Sequence, residues 1–298
     1  MPHGWFLAIF AWLRHVPGRA PMPRAMTCER ISATALALSL AAATTATVTA
    51  APSAALVQVA PQAFESKQPL LGYLTRPYGK GPFPAVVLLH GCAGFGPRET
   101  HWADQLRSWG YVALTIDSFT PRNMADCNGP TSGVEVDAFS ALQYLTTKPF
   151  VIPDRVAVLG SSLGGVAAVG DVERNLWQQM YHVKFRGAVA FYPTCTGDSG
   201  MVSVPTLILI GEKDDWAWAH ACREMTENAT KKGAPIKLVV YPNATHDFDV
   251  PATGPYQILG HHMAYDPEAT QDAEKQVRNF LHDVLNQPGL AAATPSVK

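Results

Sequence analysis

Gly160-Ser161-Ser162-Leu163-Gly164-Gly165 lies between a β-branched run and an Ala/Val-rich stretch, so a G-x-S-x-G pattern falls where a strand would turn into a helix. That context describes a nucleophile elbow, a turn tight enough to require small flanking residues and to leave a hydroxyl exposed at a helix N-terminus. Only Ser162 stands two residues from glycine on both sides, which sets Ser161 aside. A serine hydroxyl needs a base to accept its proton and an acid to orient that base. Gly211-Glu212-Lys213-Asp214-Asp215 and Tyr241-Pro242-Asn243-Ala244-Thr245-His246 each follow a β-branched run, in the chain order Ser, acid, His. Asp214 and His246 are the expected acid and base, with Asp215 a close competitor because adjacent carboxylates cannot be told apart by position. Negative charge developing on a carbonyl oxygen calls for preorganised N–H donors. The backbone of Leu163, just after the nucleophile, and of Cys92, in the turn His90-Gly91-Cys92-Ala93-Gly94, are the candidates, with His90 in a structural part.

The elements that must position these residues follow from periodicity. Ala85–Leu89, Val112–Ile116, Arg155–Leu159, Phe185–Phe191, Thr206–Ile210 and Ile236–Val240 read as strands. They alternate with helical stretches at Arg98–Trp109, Ser132–Leu145, Leu163–Glu173, Ala217–Lys231 and Glu268–Leu285, the alternation that builds a parallel sheet covered on both faces. Trp102, Leu106 and Trp109 share one helix face, as do Val136, Phe139 and Leu142 on another, and Ser132 with Glu135 forms a capping-box pattern. Leu56–Val59 and Gly72–Thr75 read as antiparallel edge strands. Loops that follow the carboxyl ends of strands share one sheet edge, which lets Ser162, Asp214 and His246 converge. Trp216, Trp218 and Phe248 flank the acid and base and are assigned to a substrate pocket, with core packing the competing reading. Phe248–Asp266 reads as a lid or as a connector. His261-His262 has no further ligand at metal spacing, so neither a metal nor another cofactor is expected.

Composition narrows the class. The chain has 298 residues, 47% hydrophobic and 16% charged, which is enough apolar material for a sizeable core. Its 23 basic and 24 acidic residues balance to a charge of -1, with no basic run after the first thirty residues, so a nucleic-acid partner is not expected. Residues 1–50 read as an N-terminal extension and cleavable signal peptide: Ile31–Ala43 is uncharged and rich in Ala and Leu, and Val48-Thr49-Ala50 offers a small-residue cleavage site. Met22 or Met26 gives a more ordinary signal length than Met1. An uncleaved anchor is the weaker alternative, because the stretch is only weakly apolar and no basic stop-transfer cluster follows. Cleavage after Ala50 leaves 248 residues with 19 basic and 23 acidic, read as a single domain over residues 51–286 and a flexible tail over 287–298. The expected location is periplasmic or secreted, without a stable membrane anchor. Cys92, Cys127, Cys195 and Cys222 remain, an even number suited to an oxidising compartment and compatible with three pairings.

HGCAG, IDSF, GSSLGG, GEKDDW and YPNATHDFD, in this order, resemble the dienelactone hydrolase family of α/β-hydrolases. The resemblance implies a mostly parallel sheet of about eight strands, hydrolysis of a small ester or lactone without a metal, and triad positions at Ser162, Asp214 and His246. The fold favours pairing Cys92 with Cys127, which would brace the first loop, and Cys195 with Cys222. Two departures matter. The enzyme that names the family has a Cys nucleophile where this chain has Ser162, and an acidic residue in the first loop where this chain has Gly91, so general carboxylesterase chemistry is expected in place of the dienelactone substrate. A peptidase or acyl-transfer enzyme on the same triad, and a non-catalytic binding protein of this fold, are the alternatives.

Overall fold

Strands form where β-branched residues run between glycine-bearing turns, and all but the last two strands join one sheet. A computed structural model describes residues 54–61, 68–127, 133–173, 179–196, 200–229, 233–252 and 254–286. The signal-peptide, Ser132 cap and C-terminal-tail expectations lie outside the described residues. The strands are β1 (Ala54–Val59), β2 (Leu70–Thr75), β3 (Phe83–Leu89), β4 (Val112–Asp117), β5 (Val151–Ser161), β6 (Ala188–Phe191), β7 (Thr206–Gly211) and β8 (Ile236–Tyr241), followed by a hairpin of β9 (Tyr256–Ile258) and β10 (His261–Met263). The helices are α1 (Pro97–Ser108), α2 (Gly133–Thr146), α3 (Leu163–Gly170), α4 (Ala219–Ala229) and α5 (Pro267–Asn286).

The eight-stranded sheet has the order β1-β2-β4-β3-β5-β6-β7-β8. The first two strands are antiparallel to their neighbours, and β4 through β8 are parallel. Period-two alternation sends Val86 and Leu88 to one face and Ala85, Val87 and Leu89 to the other, so each face carries its own core. Trp102 and Leu106 of α1, Met225 of α4 and Val277 and Leu281 of α5 close the first face. Val134, Phe139 and Leu142 of α2 and Ala167 and Ala168 of α3 close the second. This is the expected α/β-hydrolase architecture.

Boundaries move where pairing or packing overrides local pattern. Strand β5 starts at Val151 instead of Arg155, because Val151 pairs with Phe83 across a register shift in β3. Strand β6 starts at Ala188, three residues later than expected. Helix α3 stops at Gly170, where Glu173 pairs in an isolated bridge with Val202. Helix α4 opens at Ala219, after a turn bound to the Asp214 side chain.

Candidate active site

Ser162 sits at the junction of β5 and α3 with φ 52° and ψ -115°, a backbone conformation that a side-chain-bearing residue rarely adopts. Missing side chains make the turn feasible. A Cβ on Gly160 would lie 1.9 Å from the Gly164 carbonyl oxygen, and one on Gly164 would lie 2.3 Å from that of Leu89. The turn is held by the Ser162 N–H donating to the Phe191 carbonyl at 2.9 Å and the Val166 N–H donating to Ser162 at 2.9 Å. Strain of this kind persists only when the surroundings over-determine it, as these bonds do.

His246 follows β8 and Asp214 follows β7. The two turns interlock through the Lys213 N–H, which donates to the Ala244 carbonyl at 3.0 Å, and through Gly211, where a Cβ would lie 2.1 Å from the same oxygen. His246 Nε2 lies 3.0 Å from Ser162 Oγ, and His246 Nδ1 lies 2.8 Å from Asp214 Oδ2. The second oxygen of Asp214 accepts the Trp216 and Ala217 N–H groups at 2.9 and 2.7 Å. The carboxylate is thus both the cap of its own turn and the partner of the imidazole. Its side chain is 0% exposed and that of His246 3%, so water does not compete for the bond. Asp215 faces elsewhere: it accepts the His262 N–H at 3.1 Å and lies 3.4 Å from His261 Nδ1. This arrangement can take a proton from Ser162 Oγ while stabilising the imidazolium that results.

Leu163 opens α3 directly behind Ser162, and Cys92 lines the same cavity as Ser162. A Cβ on Gly91 would stand 3.3 Å from the Ser161 carbonyl oxygen and 3.4 Å from Ser162 Cβ, so this loop packs directly against the serine turn. Cys92 is joined to Cys127, with an S–S distance of 2.15 Å, and Cys195 to Cys222, at 2.05 Å. His90 is buried as a strut, its Nδ1–H donating to the Gly91 carbonyl at 2.8 Å and its Nε2 accepting the Ser118 N–H at 3.1 Å. Burial lowers its pKa against the opposing pull of the Gly91 carbonyl, which favours this neutral tautomer.

The cavity over Ser162 has a volume of about 670 Å³. Trp216 lines it, but the other two expected pocket aromatics do not. Phe248 is 0% exposed and packs against Phe191, Tyr192 and Tyr241 in the core, because the chain turns inward immediately after His246. Trp218 is 54% exposed and stacks on His220 outside the cavity. The segment after His246 supplies wall residues instead, among them Val250, Tyr256, Ile258 and Leu259, the last three from the β9–β10 hairpin.

Sequence reasoning missed Arg98. Its guanidinium donates to Asp247 Oδ1 and, at 3.0 Å, to Ser161 Oγ, while its Nε lies 3.8 Å from Asp249 Oδ1. Burial acts to lower its pKa, but Tyr192, Asp249, Asp247 and Glu99 outweigh that and hold it well above the ordinary arginine value. Asp249 also accepts the Trp102 indole N–H at 3.1 Å and the Tyr192 hydroxyl at 2.5 Å. The available signal was the spacing His-Asp-Phe-Asp at 246–249, two acids around a buried aromatic.

The family model "Dienelactone hydrolase family" matches residues 70–285. A probable 2-oxo-3-(5-oxofuran-2-ylidene)propanoate lactonase from Bradyrhizobium is 27% identical over 196 residues, covering 60% of this chain and 78% of that protein. Esterase EstD of Thermotoga maritima is 35% identical over 131 residues, covering 39% of this chain and 31% of that protein. Among solved structures, a putative dienelactone hydrolase from Klebsiella pneumoniae has a TM-score of 0.61 at 18% identity, covering 79% of this chain and 99% of that one. Propionate-bound Est2, an esterase of Thermogutta terrifontis, has a TM-score of 0.63 at 18% identity, covering 80% and 97%. These structural likenesses share the fold.

Proposed function

The chain belongs to the dienelactone hydrolase family, and from that premise we propose that it is a serine hydrolase cleaving a small carboxylic ester or lactone through an acyl-enzyme on Ser162. Ser162 Oγ attacks the carbonyl carbon as His246 Nε2 takes its proton. The tetrahedral oxyanion is stabilised by the N–H groups of Leu163 and Cys92, donors that typically contribute on the order of 3 kcal/mol each. Collapse returns the proton from His246 to the leaving oxygen. Water, deprotonated by the same imidazole, then releases the acid. Asp214 keeps Nδ1 protonated and the ring oriented throughout. No step requires a metal or cofactor.

The observation that carries this reading is the continuous Asp214–His246–Ser162 relay at 2.8 and 3.0 Å. A fluorophosphonate probe should label the protein at Ser162, and the Ser162→Ala variant should not label; a variant that labels equally defeats the assignment. We further propose export to the periplasm or exterior with removal of residues 1–50. Two disulfides support an oxidising compartment. N-terminal sequencing of the exported protein tests this: a chain beginning near Ala51 is expected, and one retaining Met26 refutes cleavage.

A further inference from the structure

The charges around the cavity bear on what it accepts. Among the described residues that line it, Arg98 is the only Lys or Arg, against four carboxylates, Glu99, Asp126, Asp247 and Asp249. His101 also lines it, but its Nε2 is engaged with Glu274 at 3.2 Å. A guanidinium on a cavity wall ordinarily recruits anions, yet the Arg98 nitrogens are turned to protein groups. One terminal nitrogen donates to Asp247 and the other to Ser161 Oγ, and Nε is buried beside Asp249. Two carboxylates already oppose one guanidinium. Glu99, whose Oε2 accepts the Gly96 N–H at 2.9 Å, brings no positive charge in either protonation state.

We infer that the cavity selects esters and lactones without a negative charge and disfavours those carrying a carboxylate on the acyl or alcohol part. The inference rests on Ser162 as nucleophile and names the substrate class of that site. A substrate carboxylate would have to displace Asp247 from Arg98 or sit among like charges in a partly enclosed space, where repulsion is screened far less than in bulk water. Attack by Ser162 then builds a second negative charge on the substrate. The remaining wall, Phe95, Trp216, Ile258 and Leu259, offers apolar contact to an uncharged chain.

A matched pair of substrates tests this. 4-Nitrophenyl adipamate and mono-4-nitrophenyl adipate differ only at the far end of the acyl chain, a neutral carboxamide against a nearly isosteric carboxylate anion. The carboxamide is expected to be cleaved with a kcat/KM at least about tenfold higher. An acid cleaved as well as or better than the amide overturns the inference. The same pair titrated calorimetrically into Ser162→Ala separates the two readings. If the wild type cleaves neither ester, the nucleophile assignment fails, and binding then decides the charge question: a tighter amide supports it, and an equal or tighter acid overturns it.

Discussion

Arg98 forms an ion pair with Asp247, the residue immediately after His246, across 149 positions of sequence. Because the same guanidinium also holds Ser161, the residue immediately before Ser162, one side chain of α1 ties together the segments that carry the hydroxyl and the imidazole. Arg98→Met leaves Asp247 and the 1%-exposed Asp249 without their cation. Removing one partner of a buried ion pair costs about 3–5 kcal/mol. The expected result is a lower unfolding temperature, with kcat reduced roughly tenfold to a hundredfold through misplacement of the reacting groups and KM for a neutral ester little changed. Combining Arg98→Met with Asp247→Asn should recover part of the stability, measured by thermal unfolding alongside steady-state kinetics.

The two adjacent acids should separate cleanly. Asp214→Asn removes the acceptor that fixes the His246 tautomer and should lower kcat by roughly 10³ to 10⁴-fold. Asp215→Asn, which touches only the hairpin backbone and His261, should stay within about threefold of wild type. Steady-state rates on one neutral chromogenic ester check both.

The Cys92–Cys127 crosslink closes a segment of 35 residues, for which chain-entropy arguments give a stabilisation of about 3–4 kcal/mol. A Cys92→Ala, Cys127→Ser double variant should unfold at lower temperature. It should also lose kcat, because the Cys92 N–H is a proposed oxyanion donor on the loop released. A variant with lowered stability and unchanged kcat would confine the crosslink to a structural part.

Asp171 carries the sharpest pH prediction. Its carboxylate is buried, neither oxygen has a hydrogen-bond partner among the described residues, and burial, with the added repulsion of Glu135 and Asp137, raises its pKa well above the ordinary aspartate value. The folded state therefore holds this proton to higher pH than the unfolded chain does. Its contribution favours folding below the unfolded pKa of about 3.9 and is progressively lost as pH rises toward the raised folded value. Asp171→Asn, which cannot ionise, should be more stable relative to wild type at pH 8 than near pH 3.5, where the wild-type carboxyl is protonated in both states. Unfolding midpoints of both proteins at the two pH values check it, and equal differences at both would refute the argument.

The central strands and the order of the candidate triad could be read from the chain because each depends on local pattern: β-branched runs ending in glycine turns, with a Ser, an acid and a His after successive strands. The rest depends on where a tight turn points its side chains. Trp216 and Trp218 are two residues apart on one turn, yet one lines the cavity and the other faces solvent. Phe248 lies as near to His246 as Trp216 does to Asp214, yet it enters the core. Arg98 carries no mark in its local sequence, because the groups that neutralise it arrive only when the chain after β8 folds back over α1. Charge pairing over such separations leaves no periodic trace.

The β9–β10 hairpin is fastened to the candidate active site at several points. Met263 bridges to the backbone of His246, the His262 N–H is held by Asp215, and the His261 ring stacks on Trp216 at 4.6 Å. Tyr256, Ile258 and Leu259 of the same hairpin form part of the cavity wall. Swinging this wall outward to admit a bulkier molecule would drag on His246, the proposed proton acceptor, so enlargement from this side is expected to carry a penalty in turnover.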